Sequence, residues 1–409
     1  MQRQIFSTGA FRLYYSLPHN LRGNVIKLNI IKFSKWFSLV MPIIVPFYED
    51  NHLSITEIMI LKSVYSVVIV ALELPSGYFA DVIGRKKTLI IGAFLSAIGF
   101  FIYSGTHAYM GFLIAEIALG AGQSFISGAD SAMLYDTLVS GNRQKEYARY
   151  EGINASVGNF SEAFAGLAGG ALALISLRFP FYIQAIIAST AIPASLMLVE
   201  PVIENKVTRT ISLRDIAATV KQIVFREKDL RLNLLFSSII GAATLQMAWF
   251  AQPLFKKMLL PLALYGAVWT ALNLVTGGSS IIAHRIEQKL GETTTLKLIA
   301  ILIPVLMILS GMIPAFAIIP LLVLFYVFRG IAGPVLKDYI NQRTGSDIRA
   351  TVMSLRDLTI RVFFALFAPL AGWFTDHYSL GSGLAVSGGF ILALSLTTLV
   401  LFIRHRNEC

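Results

Sequence analysis

Charge is scarce in this sequence. Asp, Glu, Lys and Arg make up 14% of it and hydrophobic residues 56%, against about 25% charged residues in soluble domains. Mean hydropathy is +0.69. Cysteine is nearly absent: the single Cys409 excludes an internal disulfide, a cysteine metal cluster and a cysteine nucleophile held in a fold. The six histidines, His19, His52, His107, His284, His377 and His405, fall in loops or at the ends of apolar runs. A histidine relay through a membrane interior is thereby excluded, and any proton traffic falls to carboxylates. There is no G-x-x-x-x-G-K-S/T phosphate loop, and no long polar stretch to house an enzyme. No cofactor and no metal is expected.

What is present is a series of apolar runs of the length that a hydrocarbon core of about 30 Å demands. Twelve are read, at 25–47, 56–79, 88–106, 111–138, 152–174, 181–199, 232–254, 262–283, 296–313, 315–336, 350–374 and 383–403. Some runs hold polar residues, and runs four, ten and eleven are the weakest by hydropathy. The first run lacks a small-residue cleavage site and reads as a retained helix rather than a signal peptide. The expected architecture is an all-α membrane protein. It comprises an N-terminal segment 1–24, a six-helix half 25–199, a linker 200–231, a second six-helix half 232–403 and a tail 404–409.

The net charge of +11 is topological. With the N-terminus inside and sides alternating, 25 of the 34 Lys and Arg residues lie in cytoplasmic segments or helix ends. Arg178, Lys256 and Lys257 lie outside, and Lys32, Lys35, Lys62, Arg329, Arg356 and Arg361 lie within runs. This positive-inside bias places both termini in the cytoplasm and argues against nucleic acid as a partner. In the linker, Ile211–Phe225 carries helix-spaced apolar residues. It suits either the cytoplasmic membrane face or a solvated packing helix. The segment before residue 24, with Phe11, Tyr14 and Tyr15, is expected to be partly interfacial.

Between runs two and three stands Gly77-Tyr78-Phe79-Ala80-Asp81-Val82-Ile83-Gly84-Arg85-Lys86-Lys87. It resembles the signature loop of the major facilitator superfamily, G-x-L-A-D-x-x-G-R-K-x, with Phe79 in place of Leu. A degenerate counterpart, Gly277 to Gly291, lies between runs eight and nine. The resemblance covers essentially the whole chain and implies two pseudo-symmetric halves with solute held near the midplane. It also implies a monomer, and a gating role for the loop. Gly77 would allow close helix approach, Asp81 would meet the start of span eleven, and Arg85, within Gly84-Arg85-Lys86, would pair with Asp136. Topology and folding alone are the alternative role.

Ionisable residues inside spans are costly and default to functional hypotheses. In span four, Glu116, Gly120, Gln123, Ser127 and Asp130 share a narrow helical stripe. The stripe is expected to line the cavity, which the resemblance assigns to spans one, four, seven and ten. Relatives often carry Arg in an R-x-x-x-G-x-G setting, where Glu116 stands here, so the usual coupling arrangement is altered. Asp130 and Glu116 are candidates for solute or proton, or for structural ion pairs. In span ten, Arg329 shares a face with Tyr326 and is expected to bind a carboxylate of the solute or of the first half. Arg361 has Asp357 one turn away as a same-helix partner. Glu73, beside Pro75, either titrates or pins spans two and eleven. Glu162, mid-span five, is a candidate proton carrier. Gly166 to Gly170 resembles only the tail of the antiporter motif G-P-x-x-G-G. Lys32 and Lys35 either face the cavity or snorkel. Trp36 stacks on solute or packs, and Asn233, Ser237, Gly241 and Thr244 form a milder stripe in span seven.

The expected function is a secondary active transporter in a bacterial-type plasma membrane. It would move a small organic solute by rocker-switch alternating access, coupled to protons, with export of a drug-like compound or metabolite first. Uptake of a carboxylate-bearing or zwitterionic solute is the alternative. A transporter-like receptor or lipid-handling protein is the alternative of another class.

Overall fold

The computed structural model describes residues 21, 23–201, 227–345 and 348–408. The linker helix Ile211–Phe225, Phe11, Tyr14, Tyr15 and Cys409 lie outside the described residues. In chain order the helices are α1 (Asn24–Trp36), α2 (Ile44–Asp50), α3 (Ile55–Val82), α4 (Arg85–Gly105), α5 (Tyr109–Ser127), α6 (Asp130–Val139), α7 (Tyr147–Leu172), α8 (Phe179–Ser189) and α9 (Ala191–Leu196). The second half follows with α10 (Lys228–Lys257), α11 (Tyr265–Leu290), α12 (Glu292–Met312), α13 (Ile318–Gln342), α14 (Arg349–His377) and α15 (Leu380–Glu408). In lipid every backbone polar group must be satisfied within the chain, which favours helices for spans of this composition.

Among the described residues, ten helical segments are long and apolar enough to cross a membrane. The two remaining expected spans fall short for identifiable reasons. Span one is interrupted at 37–43, leaving α1 at 13 residues and α2 at 7. Pro42 lies in that break and brings no backbone donor. Span five, α7, has 26 residues but is rich in Gly, Ser and Asn. Runs four, ten and eleven, read as weakest by hydropathy, are all among the ten. Span four is nevertheless divided, because α5 ends at Ser127 and α6 starts at Asp130.

The described residues fall into two compact units. The first takes those of Met1–Met41 and Val68–Thr210, the second those of Pro42–Val67 and Ile211–Cys409. The expected boundary near residue 200 therefore misses a feature: residues 42–67 pack with the second unit. The first unit is built on one apolar cluster in which Val25, Leu28 and Ile31 of α1 meet Ala80, Leu89 and Ala93 of α3 and α4. Ile126, Met133, Leu134 and Leu138 of α5 and α6 complete it. Small residues let these helices approach closely. A Cβ on Gly92 would come within 2.7 Å of Ile126, and one on Gly169 within 1.9 Å of the Leu39 carbonyl oxygen. In the second unit α12 packs along α15, α11 along α13, and α10 against both α14 and α15.

The turns after α3 and α11 are built alike. Gly84 (φ 101°) and Gly291 (φ 77°) hold left-handed backbone, which costs L-residues with a side chain about 1–2 kcal/mol. Each precedes a 21-residue helix, and each carbonyl accepts a threonine hydroxyl four residues on, from Thr88 and Thr295, at 2.9 Å in both cases. Gly77 differs: a Cβ there would meet nothing within 4 Å. Gly84→Ala is therefore expected to lower stability by about 1–2 kcal/mol, whereas Gly77→Ala leaves it unchanged or slightly raised. Thermal unfolding of the two purified variants in one detergent checks the contrast.

Candidate functional site

In the first unit the membrane-embedded charges converge where span four breaks. Lys32 Nζ on α1 lies 3.5 Å from Asp130 Oδ2, and both side chains are largely buried. The other carboxylate oxygen accepts the N–H of the next residue, Ser131, at 2.8 Å, one of the first-turn donors that α6 leaves without an intrahelical partner. The Ser131 hydroxyl donates to Glu151 Oε1 on α7 at 2.9 Å. Asn154 Nδ2 donates to Asn29 Oδ1 at 3.1 Å, tying α7 back to α1. Trp36 lies against Gly158 of α7, whose Cβ would stand 3.2 Å from the indole. The cluster joins two residues read as separate candidates, Lys32 and Asp130, into one ion pair. Among groups charged at neutral pH, such pairing is what makes burial tolerable.

The stripe read along span four does not continue as one face. Glu116 is 1% exposed and accepts a short hydrogen bond from the Tyr103 hydroxyl. Tyr103 in turn stacks on Phe181 and lies tilted against Phe112, with ring centroids 5.5 Å apart in each case. Glu116 thus belongs to the packing of α4, α5 and α8, and the break at Gly128-Ala129 sets Asp130 on a different helix. Gln123 is half-buried on α5. Glu73 and Glu162 are half-buried on α3 and α7.

The signature loop forms a network of its own. Arg85 Nε lies 2.9 Å from Asp136 Oδ2 at the end of span four, and Arg85 Nη2 lies 3.4 Å from Asp81. Asp81 remains 46% exposed. Glu200, which sequence reasoning missed, accepts the backbone N–H of Arg85 at 2.8 Å and of Lys86 at 2.7 Å. It satisfies N–H groups that the first turn of α4 leaves without intrahelical partners. Its separation of 115 residues from Arg85 hides it from any local pattern. The close approach expected of Gly77 is made instead by Gly128, whose Cβ would stand 3.0 Å from Ser76 Oγ.

In the second unit, Arg329 lies over the Tyr326 ring at 5.1 Å. Among the described residues it has no ion-pair partner. Tyr326 is 0% exposed, so it supports the guanidinium and does not line open space. Asn233 is likewise buried, donating to the Asp229 carbonyl at 2.9 Å. The span-seven stripe faces α14: Arg356 Nε donates to Ser237 Oγ at 2.6 Å, and a Cβ on Gly241 would meet Ile360 at 2.4 Å. Asp357 pairs with its neighbour Arg356 at 2.8 Å, not with Arg361 as the i,i+4 spacing suggests. Arg356 is held to Ser237 in a position from which it reaches the adjacent carboxylate. Lys62, also missed, is buried with its ammonium 4.7 Å from the Trp249 ring and 5.2 Å from that of Tyr48.

The sequence model of the Major Facilitator Superfamily matches residues 36–362. The chain belongs to this superfamily, whose members are multi-pass membrane transporters. It is similar to the inner membrane transport protein YajR of Escherichia coli K12, at 21% identity over 341 residues, covering 82% of this chain and 72% of the relative. It is also similar to the quinolone resistance protein NorA of Staphylococcus aureus, at 21% identity over 175 residues, covering 43% and 44% of the two chains. The crystal structure of the nucleoside transporter NupG superposes with a TM-score of 0.75 over 93% of this chain and 99% of that one. At 14% identity this likeness shows the fold.

Asp136→Asn would leave the poorly exposed Arg85 with only the partly solvated Asp81. A loss of about 2–3 kcal/mol is expected, less than the ~3–5 kcal/mol of breaking a fully buried pair. Glu200→Gln, which weakens one helix cap, should cost about 1 kcal/mol. Thermal unfolding of both variants tests the ranking.

Proposed function

We propose that this transporter moves a small organic solute across the plasma membrane by rocker-switch alternating access, coupled to protons, with both termini in the cytoplasm. The reading favours export of a drug-like compound. The observation that carries it is the Lys32–Asp130 pair at 3.5 Å, placed where span four breaks. Protonation of Asp130 neutralises the carboxylate and frees the Lys32 ammonium. A cationic solute competes with that proton for the same carboxylate, which is the requirement for exchange of one against the other. Similarity to NorA supports a drug-like solute, and the concentration of basic residues in segments read as cytoplasmic supports the topology.

A second reading rests on Arg329, a guanidinium without an ion-pair partner among the described residues. Such a group suits a solute carboxylate and favours uptake of a carboxylate-bearing or zwitterionic compound. A binding-only receptor differs from either transporter in showing no exchange of labelled solute.

Norfloxacin, a fluorescent quinolone, serves as the probe in proteoliposomes with an acidic interior. Wild-type protein should accumulate it in response to the pH gradient. Asp130→Asn should reduce the gradient-driven component by roughly tenfold or more, the scale of losing an acid–base group. Arg329→Gln should leave it largely intact. Gradient-driven accumulation equal in wild type and Asp130→Asn would show that Asp130 is structural. Selective loss in Arg329→Gln would favour the second reading.

A further inference from the structure

Between α1 and α7 the first unit carries a groove of about 710 Å³, a volume in the range of small-molecule sites. All of its lining residues fall in that unit. Phe33 of α1 and Phe37 just beyond it form one wall, with ring centroids 4.8 Å apart. The other wall is a single face of α7, because Arg149, Gly152, Ile153, Ser156, Phe160 and Phe164 recur at three- and four-residue spacing. The two helices are joined beside the groove, where Asn154 donates to Asn29 and Gly158 admits the Trp36 indole. A Cβ on Gly152 would meet nothing within 4 Å, so that stretch of the wall is bare backbone.

The groove is apolar except at one end. Phe160 and Phe164 are 67% and 64% exposed. The hydroxyls of Ser156 and Ser161 donate back to the Gly152 and Val157 carbonyls at 2.8 and 2.6 Å, which leaves their donors satisfied within the helix. Arg149 is the exception. It is exposed, its guanidinium lies 5.9 Å from the Tyr150 ring, and among the described residues it has no ion-pair partner. It stands just before the apolar run that begins at residue 152, about 4.5 Å along the helix, at the level where lipid headgroups begin. From residue 152 to Phe164 the face runs about 18 Å, close to the roughly 15 Å of one leaflet in a 30 Å core.

We propose that this groove binds an anionic phospholipid, with one acyl chain lying along α7 and the headgroup phosphate on Arg149. The groove has the depth of a single leaflet, and its free charge sits at headgroup level rather than among the rings, which is the charge pattern of a membrane lipid. A guanidinium meets a phosphate through paired N–H donors. A lipid with net negative charge adds an attraction that a zwitterionic one lacks. On the proposed topology the leaflet is the cytoplasmic one, and only that assignment rests on the transport reading.

The test titrates purified full-length protein in dodecyl maltoside with phosphatidylglycerol, or with phosphatidylcholine of the same acyl chains, and counts bound lipid by native mass spectrometry. Wild-type protein should bind its first phosphatidylglycerol roughly fivefold more tightly, the ratio equivalent to about 1 kcal/mol for one basic residue at a membrane surface. Arg149→Gln should abolish the preference. Lys145→Gln, which removes an exposed cation just ahead of α7, should keep it. Ser156→Phe, which fills the groove, should weaken both lipids alike. Gel filtration and thermal unfolding establish that each variant is folded; Arg149→Gln changes an exposed side chain and decides alone if Ser156→Phe is not. Equal binding of the two lipids by wild type, or a preference that survives Arg149→Gln, overturns the site. Equal loss in Lys145→Gln and Arg149→Gln also overturns it, because diffuse surface charge then accounts for the preference. Undiminished binding by folded Ser156→Phe overturns the placement of the chain in the groove. The titration uses neither solute nor gradient. Lipid preference through Arg149 in a protein that fails to move norfloxacin therefore counts against the proposed solute and leaves the lipid site standing, and norfloxacin transport without lipid preference does the reverse.

Discussion

A charged side chain near the middle of a bilayer costs about 2.5–3.5 kcal/mol even on the mildest scale, and the internal organisation of both units follows from meeting that cost. Lys32 is paired with Asp130, and Arg356 pairs with Asp357 and donates to Ser237; at the turn between spans two and three, Arg85 pairs with Asp136. Lys62 lies against aromatic rings. Each solution joins elements that are distant in sequence or at a break in a helix. A charge that needs a partner thus also fixes where its helix sits, and a partner that can be protonated or displaced makes that placement switchable. Asp130 meets this condition most clearly, because the same carboxylate holds Lys32 and the Ser131 N–H in the first turn of α6.

Glycine-hinged turns frame the units. Gly84 and Gly291 take left-handed backbone to reverse the chain between spans, and threonines four residues on close both turns identically. An acidic group then stabilises the helix that follows. Glu200 caps α4 by its side chain, and Glu292 at the start of α12 pairs with Arg343 at 2.7 Å. The two sequence halves therefore share a device even where their residues have diverged, and the superfamily's repeat survives as geometry more than as identity.

Much of the fold was legible in the sequence because apolar length is a local property. The expected runs fall on helix apart from the interruptions of spans one and four, and Gly84 marks its turn through a backbone conformation that glycine tolerates. The interruption of span one was not legible, since its hydropathy is continuous across 37–43 and only Pro42 hints at a break. Candidate site residues were legible singly and less so in their arrangement. Helical spacing put Glu116 and Asp130 on one face, but the break at Gly128-Ala129 separated them and Tyr103 took Glu116 into the packing. Spacing also paired Asp357 with Arg361, where Ser237 draws Arg356 into that role. Glu200 escaped notice because its partner Arg85 is 115 residues away, and a capping carboxylate has no signature of its own at such range.

The most direct test of this account is a double-mutant cycle on Lys32 and Asp130, using Lys32→Met and Asp130→Asn and thermal stability in lipid nanodiscs. Each single change leaves an uncompensated charge. The account predicts that both singles are destabilised, and that the double variant is more stable than their sum implies, by about 1–3 kcal/mol. Additivity within about 0.5 kcal/mol would mean that the two groups do not hold each other, and would contradict the ion pair on which the proposed coupling depends.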